Sequence, residues 1–233
     1  MIATPDQLAA VLRPVKHILL DFDGPVCSVF AGLPAPVVAR RLREGWFAAG
    51  AQAPPGVEEE TDPLALLRLI ADARPDLTAS TDTALATLEN EAVQVARPTP
   101  GGESLLRAAV LSGRLVSVVS NNAGAAIESY LAEHGLTDYV AGVFGRAPGE
   151  PSSMKPNPRL LLEAMEAAGT GPVQCVFIGD AVRDIEAGEA AAVPTIGYAN
   201  KPGKDAKLAA AGAVIVVDSM QHIADALTRC SSS

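Results

Sequence analysis

Two aspartates one residue apart, Asp21 and Asp23, follow an apolar run in His17-Ile18-Leu19-Leu20-Asp21-Phe22-Asp23-Gly24. Side chains alternate along a strand, so both carboxylates point to the same side. Their repulsion raises at least one pKa unless a cation or a hydrogen-bond donor lies between them. Other polar residues stand at comparable places: Ser120, Asn121 and Asn122 after the run 115–119, and Gly179, Asp180 and Asp184 after the run 173–178. Three or four carboxylates with no His or Cys cluster favour a hard cation with oxygen ligands, Mg²⁺ first. The Ser120 hydroxyl and the Asn121 amide suit phosphate oxygens. Backbone amides around Gly24 and after Asn122 add donors. Lys155, in the turn Met154-Lys155-Pro156-Asn157-Pro158, supplies a counter-charge for a phosphoryl group and a carboxylate. An aspartate can attack phosphorus to give an aspartyl-phosphate, and a second one can protonate the leaving oxygen and later activate water.

These residues are far apart in sequence and need a scaffold to converge. Residues 18–20, 115–119, 173–178 and 214–217 read as short strands buried on both faces, and 193–198 adds another. Asn122 is expected to cap a helix that closes at Gly135. Asn157, with Pro158 at the first helical position, is expected to open one that closes at Gly169. Strands alternating with helices predict a parallel sheet with right-handed crossovers, and ligands of such sheets bind beyond the carboxyl ends of the strands. Residues 28–96 break the alternation and read as helices at 36–49, 63–73 and 80–96, with a loop at 51–61. The expected fold is α/β, a three-layer Rossmann-like parallel sheet core with an inserted α-helical cap domain. The core takes residues 1–27 and 97–233, and the cap takes 28–96. The Pro- and Gly-rich segment 97–102 is the expected hinge, and 229–233 an expected frayed tail.

The 233 residues give room for one α/β domain plus a modest insert. A formal net charge of −9 argues against nucleic acid or an anionic membrane as general partner, since phosphate binding needs a basic surface. Cys27, Cys175 and Cys230 are odd in number and widely spaced, so neither a disulfide framework nor a zinc site follows. A reducing cytoplasm is the simple reading. The first residues lack the pattern of a signal peptide, and no apolar run approaches the length of a membrane span.

Four motifs in this order resemble the haloacid dehalogenase superfamily of phosphohydrolases. Asp21-Phe22-Asp23-Gly24 is similar to its first motif, Ser120 to its second, Lys155 to its third, and Gly179-Asp180-Ala181-Val182-Arg183-Asp184 to its fourth. The block after the first motif resembles the family's small helical cap, and the chain is most similar to phosphoglycolate-phosphatase-like members. The resemblance implies that Asp21 is nucleophile and metal ligand. It makes Asp23 the general acid/base, touching the metal through its backbone carbonyl. Ser120, the Asn121 backbone and the amides of Asp23 and Gly24 would hold the phosphoryl group. Lys155 would neutralise charge, Asp180 would bind Mg²⁺ directly, and Asp184 would act through water or Lys155. Pro25 stands where the family most often has Thr, and without an N–H it offers no amide contact. Ala181 replaces a frequent Ser.

The implied activity is Mg²⁺-dependent hydrolysis of a small phosphorylated metabolite. A sugar phosphomutase of the same family and a catalytically silent binding protein are the alternatives, whereas a dehalogenase would lack Asp23. In the block 28–96, Arg40, Arg41 and Arg43 read as a solvated basic helix face, and Trp46 and Phe47 as its core. Cys27 reads as a small buried residue, His17 and His134 as structural or exposed, and His222 takes no role. The substrate and the oligomeric state are not written in these motifs.

Overall fold

The run behind Asp21 forms strand β1 (His17–Leu20), buried at every position. Its sheet also contains β4 (Leu115–Ala123), β5 (Gly142–Arg146), β6 (Cys175–Gly179), β7 (Thr195–Tyr198) and β8 (Ile215–Val217). The order is β5-β4-β1-β6-β7-β8, with every pair parallel. The computed structural model describes residues 2–48 and 56–230.

Alternation along the strands builds two cores. Ile18 and Leu20 face one side of the sheet, with Val116 and Val118. They pack there against α1 (Pro5–Leu12), α5 (Gly102–Leu111), α6 (Gly124–Glu133) and α10 (Met220–Cys230). Leu19, Val119 and Phe177 face the other side, under α7 (Arg159–Ala167) and α8 (Val182–Ala190). A smaller cluster of Ile185, Leu208 and Val216 seats α9 (Lys204–Ala210) beside β8. This is the expected three-layer α/β arrangement.

The register matters more for function than the order. Leu20 pairs with Val118 on one side and with Ile178 on the other. The next residues therefore emerge side by side at the carboxyl edge: Asp21 in the middle, Ser120 and Asn121 on one flank, Asp180 on the other. The chain leaves for its helical insert and returns through an antiparallel ribbon, β2 (Cys27–Ser28) with β3 (Arg97–Pro98). Thr99 fastens this ribbon to the first motif. Its N–H donates to the Val26 carbonyl at 3.0 Å and its hydroxyl to the Gly24 carbonyl at 2.5 Å. The segment expected as a hinge is thus partly paired.

The insert consists of α2 (Ala35–Ala48), α3 (Pro63–Ala73) and α4 (Thr78–Val93). Asp62 starts α3 by accepting the Leu64 N–H at 2.9 Å, with Pro63 at the first position. The three helices share an apolar cluster that includes Leu42, Trp46, Leu67, Ile70 and Leu85. Met154, from the turn of the third motif, inserts into it. The Phe47 side chain, the expected helix end at Ala49, residues 51–55 of the expected loop and residues 231–233 of the expected tail lie outside the described residues.

Several boundaries differ from expectation. Asn122 caps no helix: β4 runs on through Ala123, Asn122 is buried in it, and α6 starts without a side-chain cap. Asn157 accepts the Arg159 N–H at 3.0 Å, but α7 begins only after Pro158. Val173 and Val214 are exposed, so β6 and β8 begin later than the apolar runs. Helix α4 is shifted two to three residues towards the N-terminus of the expected span. Gly135 and Gly169 close their helices with left-handed φ of 63° and 62°.

At the opposite edge of the sheet His17 is fully buried. Its Nε2 meets Ser117 Oγ at 2.8 Å and its Nδ1 meets Thr170 Oγ1 at 2.9 Å. Burial lowers its pKa below the ordinary 6.5. A His with a depressed folded pKa contributes stability that is complete above the unfolded value and lost as pH falls below it. Unfolding free energy should therefore fall more steeply between about pH 7.5 and 5.5 in the wild type than in His17→Phe, the difference approaching about 1.4 kcal/mol per pH unit. Urea titrations across that range test this, and equal slopes would refute it.

Candidate active site

The sheet register delivers the site residues to one edge. Asp21 Oδ1 accepts its neighbour's amide, Phe22 N–H, at 2.7 Å. Gly24 has φ 112°, and a Cβ there would lie 2.6 Å from Asp180 Cγ, so the first and fourth motifs touch only because residue 24 is glycine. Asp184, in the first turn of α8, accepts the Ala181 N–H through Oδ2 at 2.9 Å. That leaves its Oδ1 for Lys155.

Lys155 is 1% exposed. Its Nζ lies 2.9 Å from Asp21 Oδ1 and 2.7 Å from Asp184 Oδ1, and donates to the Val119 carbonyl at 3.1 Å. All three donors of the ammonium are engaged. Burial works against its charge, but Asp184 and Asp21 more than offset this and its pKa rises. The backbone of Lys155 is held as tightly. Asn121 Oδ1 accepts the Lys155 N–H at 2.7 Å, Asn121 Nδ2 donates to the Lys155 carbonyl at 3.1 Å, and Arg68 of α3 donates to the same carbonyl at 2.8 Å. The Asn121 carboxamide is thus fully used, and only its backbone remains for a ligand. Ser120 Oγ lies 3.2 Å from Asn122 Oδ1.

Oxygens of Asp21, Asp180 and Asp184 lie within 4.8 Å of one another. An all-carboxylate set of this size fits a hard divalent cation. Burial pushes the Asp21 carboxyl upward, Lys155 opposes this, and the like charges of Asp184 and Asp180 add to it. The Asp23 side chain stands apart from this cluster and accepts the Val29 N–H at 3.0 Å. Burial raises its pKa to about 6 despite that hydrogen bond. Cys27 is buried in the main core with its thiol pushed up, which makes it inert.

Two groups escaped the sequence reading. Lys204 and Asn200 both donate to Asp180 Oδ2, Asn200 at 2.8 Å. They follow β7, and the rule that singled out residues beyond three other strands applies to this one equally. Four carboxylates against two ammonium groups leave two excess negative charges, the charge of one divalent cation. At the rim Arg183 faces Asp62 of the insert at 3.8 Å. The cavity measures about 60 Å³, with Ser120, Asn121, Lys155 and the aspartates on its walls and Leu64 of α3 contributed by the insert. That volume admits about four water-sized groups.

A carboxylate paired with a buried lysine, a cation-binding acidic cluster and a cavity of this size occur together at the ends of three adjacent strands. A family model for haloacid dehalogenase-like hydrolases matches residues 15–192. The chain belongs to the haloacid dehalogenase-like hydrolases. A phosphoglycolate phosphatase of Xylella fastidiosa strain 9a5c is 29% identical over 192 residues, 78% of this chain and 79% of that protein. Another, from X. fastidiosa strain Temecula1, is 34% identical over 138 residues, 55% of this chain, and the match spans 58% of that relative's length. The crystal structure of a predicted phosphatase from Clostridium acetobutylicum superposes with a TM-score of 0.71 at 16% identity, covering 92% of this chain and 99% of that one. This last likeness bears on the fold.

Within this haloacid dehalogenase-like site, Lys155→Met leaves two buried carboxylates facing each other with no ammonium between them. Loss of one partner from a buried pair costs about 3–5 kcal/mol. Lys155→Met should unfold at lower urea than the wild type in EDTA, and millimolar divalent cation should recover part of the loss. An unchanged midpoint in EDTA would show that the ammonium is not the counter-charge.

Proposed function

We propose that this haloacid dehalogenase-like hydrolase is a Mg²⁺-dependent phosphatase of small phosphate monoesters, acting through an aspartyl-phosphate on Asp21. The observation that carries this reading is the buried Lys155 ammonium held between Asp21 and Asp184 beside a phosphoryl-sized cavity. The relatives named phosphoglycolate phosphatases support the same class.

In the first step an Asp21 oxygen bonds to phosphorus, the ester P–O bond breaks, and Asp23 gives its proton to the leaving oxygen. In the second, Asp23 takes a proton from water. The water oxygen then bonds to phosphorus, and the Asp21–phosphorus linkage breaks to release phosphate. Both halves need Asp23 to change protonation near neutrality, and its raised pKa of about 6 suits that exchange. The Ser120 hydroxyl and the amides of Asp23, Gly24 and Asn121 orient the phosphoryl oxygens, and Lys155 neutralises charge as it moves from nucleophile to phosphate. Asp21, Asp180 and Asp184, with the Asp23 carbonyl, would hold Mg²⁺, which when bound supplies positive charge for the transferring group.

Residues 28–96 act as the cap on a core of 1–27 and 97–233. Leu64 contributes an apolar wall to the cavity, and closure of the cap over it would exclude water and restrict the rest of the substrate. A cytoplasmic protein that works on a metabolite, without nucleic acid or membrane as partner, accords with the net charge of −9. Among the described residues no helix is long and apolar enough to cross a membrane.

The test is a panel of phosphate esters that includes 2-phosphoglycolate and hexose phosphates, assayed with Mg²⁺. Phosphate release is expected, EDTA should abolish it, and Asp21→Asn should lower it by at least about a thousandfold. Isomerised hexose phosphate without phosphate release would make the enzyme a mutase. Absence of both reactions would leave a binding protein, and a fully active Asp21→Asn would refute the nucleophile.

A further inference from the structure

Helix α4 carries two buried acidic side chains that the proposed reaction does not use. Asp82 and Glu89 are two helical turns apart and share a face. Both reach Arg146, the last residue of β5, which is also buried. Arg146 Nε donates to Asp82 Oδ1 at 2.6 Å, and its two terminal nitrogens donate to Glu89 Oε1 and Oε2, each at 3.0 Å. The other three sites on these carboxylates are met by the core as well: both Glu89 oxygens take a further donor, and Asp82 Oδ2 takes one of its own. Glu89 Oε1 accepts Asn122 Nδ2 at 2.9 Å, Glu89 Oε2 accepts the Ala123 N–H at 3.0 Å, and Asp82 Oδ2 accepts the Gly149 N–H at 2.6 Å, while Arg146 also donates to the Asn121 carbonyl at 2.8 Å.

The end of β4 is therefore gripped from behind. On the cavity side Asn121 is tied to the Lys155 backbone; on the far side Arg146 and Glu89 hold the backbone or side chains of residues 121–123. Packing points the same way. Leu85 and Leu88 of α4 belong to the cluster of the insert, but Ala92 and Val93 belong to the main core cluster. Gln94, just beyond α4, donates to Ser129 of α6 at 3.2 Å. Helix α3 meets the core at the site through the Arg68 hydrogen bond, the half-exposed Asp62–Arg183 pair and the single apolar side chain of Met154, with no buried ion pair among them.

We propose that Asp82, Glu89 and Arg146 are positioning residues for the phosphoryl-binding end of β4, and that α4 is functionally part of the core, leaving α2 and α3 as the moving part of the cap. The proposal rests on the reading that Ser120 and Asn121 receive the phosphoryl group. It places substrate selection on α3, whose first turn supplies Leu64, and predicts that opening leaves the phosphoryl cradle intact.

Two measurements on the full-length protein decide it. In Glu89→Gln and Arg146→Met, amide exchange at Ala123 should speed at least tenfold. Calorimetric binding of inorganic phosphate with Mg²⁺ should weaken at least tenfold, and kcat should fall more than KM changes. Glu89→Gln keeps the shape of the side chain and guards against loss of folding in Arg146→Met. Exchange and phosphate affinity at wild-type values in a folded Glu89→Gln would overturn the positioning role. In a Cys230→Ser background, a cleavable bis-thiol tether across Gln94→Cys and Ser129→Cys should leave turnover unchanged. The same tether across Asp62→Cys and Arg183→Cys should block it at least tenfold, until reductant cuts the tether. Reversible loss of turnover from the first tether would show that α4 moves with the cap. If the wild type hydrolyses no ester, the phosphatase reading fails while exchange at Ala123 and Gly149 still decides the clamp.

Discussion

A single buried ammonium group lets four carboxylates share the end of one sheet. Lys155 donates to Asp21, to Asp184 and to the Val119 carbonyl, so its desolvation is offset by two opposite charges and a full set of hydrogen bonds. Without it the repulsion that the Asp21/Asp23 spacing implies would be compounded by Asp180 and Asp184. The parallel register forces this crowding: Leu20, the last residue of β1, lies level with Val118 of β4 and Ile178 of β6, and each carries its first polar residue one or two positions beyond that line. Lys204 balances part of the charge from the next strand along. The two charges still in excess are what a divalent cation would meet, so the architecture of the sheet is compatible with metal binding.

The same site explains why the helical insert needs two kinds of contact. A phosphoryl-sized cavity walled by charged groups works only if water is kept out while the phosphoryl group moves, and Leu64 supplies an apolar wall without adding another charge. In the proposed reaction such a lid would also have to leave. Contacts that must break are best kept few and partly hydrated, as the Asp62–Arg183 pair is, because exposed ion pairs contribute only about 0–1 kcal/mol. Contacts that must not break are better buried and fully bonded, as around Arg146. Burial opposes the Arg146 charge, yet Glu89 and Asp82 raise its pKa above the ordinary value, so the guanidinium stays charged in place.

Much of this could be read from the chain before any coordinates. The short strands announced themselves as apolar runs because a parallel strand covered on both faces has no reason to alternate. Asp21, Asp23, Ser120, Asn121, Asp180 and Asp184 announced themselves because each follows such a run, whereas Lys155 stood out only as a lone cation in a proline turn. The misreadings came from the same local reasoning applied where tertiary contacts win. Asn122 has the right type for a helix cap, but its amide is claimed by Glu89, so β4 continues past it. Val173 and Val214 looked like strand and are exposed turn residues. Asp82, Glu89 and Arg146 gave no signal at all. Each is an ordinary charged residue in sequence, and the cluster joins positions 57 and 64 residues apart, a distance that no local pattern spans. Lys204 was missed for a simpler reason: the strand before it carries no acidic motif to draw attention to its end.

Asn121 shows how a residue type can be right for a different reason than its chemistry suggests. An amide beside Ser120 looks like a phosphate ligand. In the structure both ends of that amide are spent on the two polar groups of the Lys155 backbone, one accepting and one donating. Asp at this position could not donate to the Lys155 carbonyl, and it would add a fifth carboxylate to a site already in negative excess. Ser could not reach both groups. A carboxamide of this length satisfies the two requirements together, so position 121 sets where the ammonium of Lys155 begins its reach toward Asp21. The end of β4 and the ammonium beside Asp21 are thereby held by one side chain, and a shift in the β4 end is transmitted to Lys155 through two hydrogen bonds.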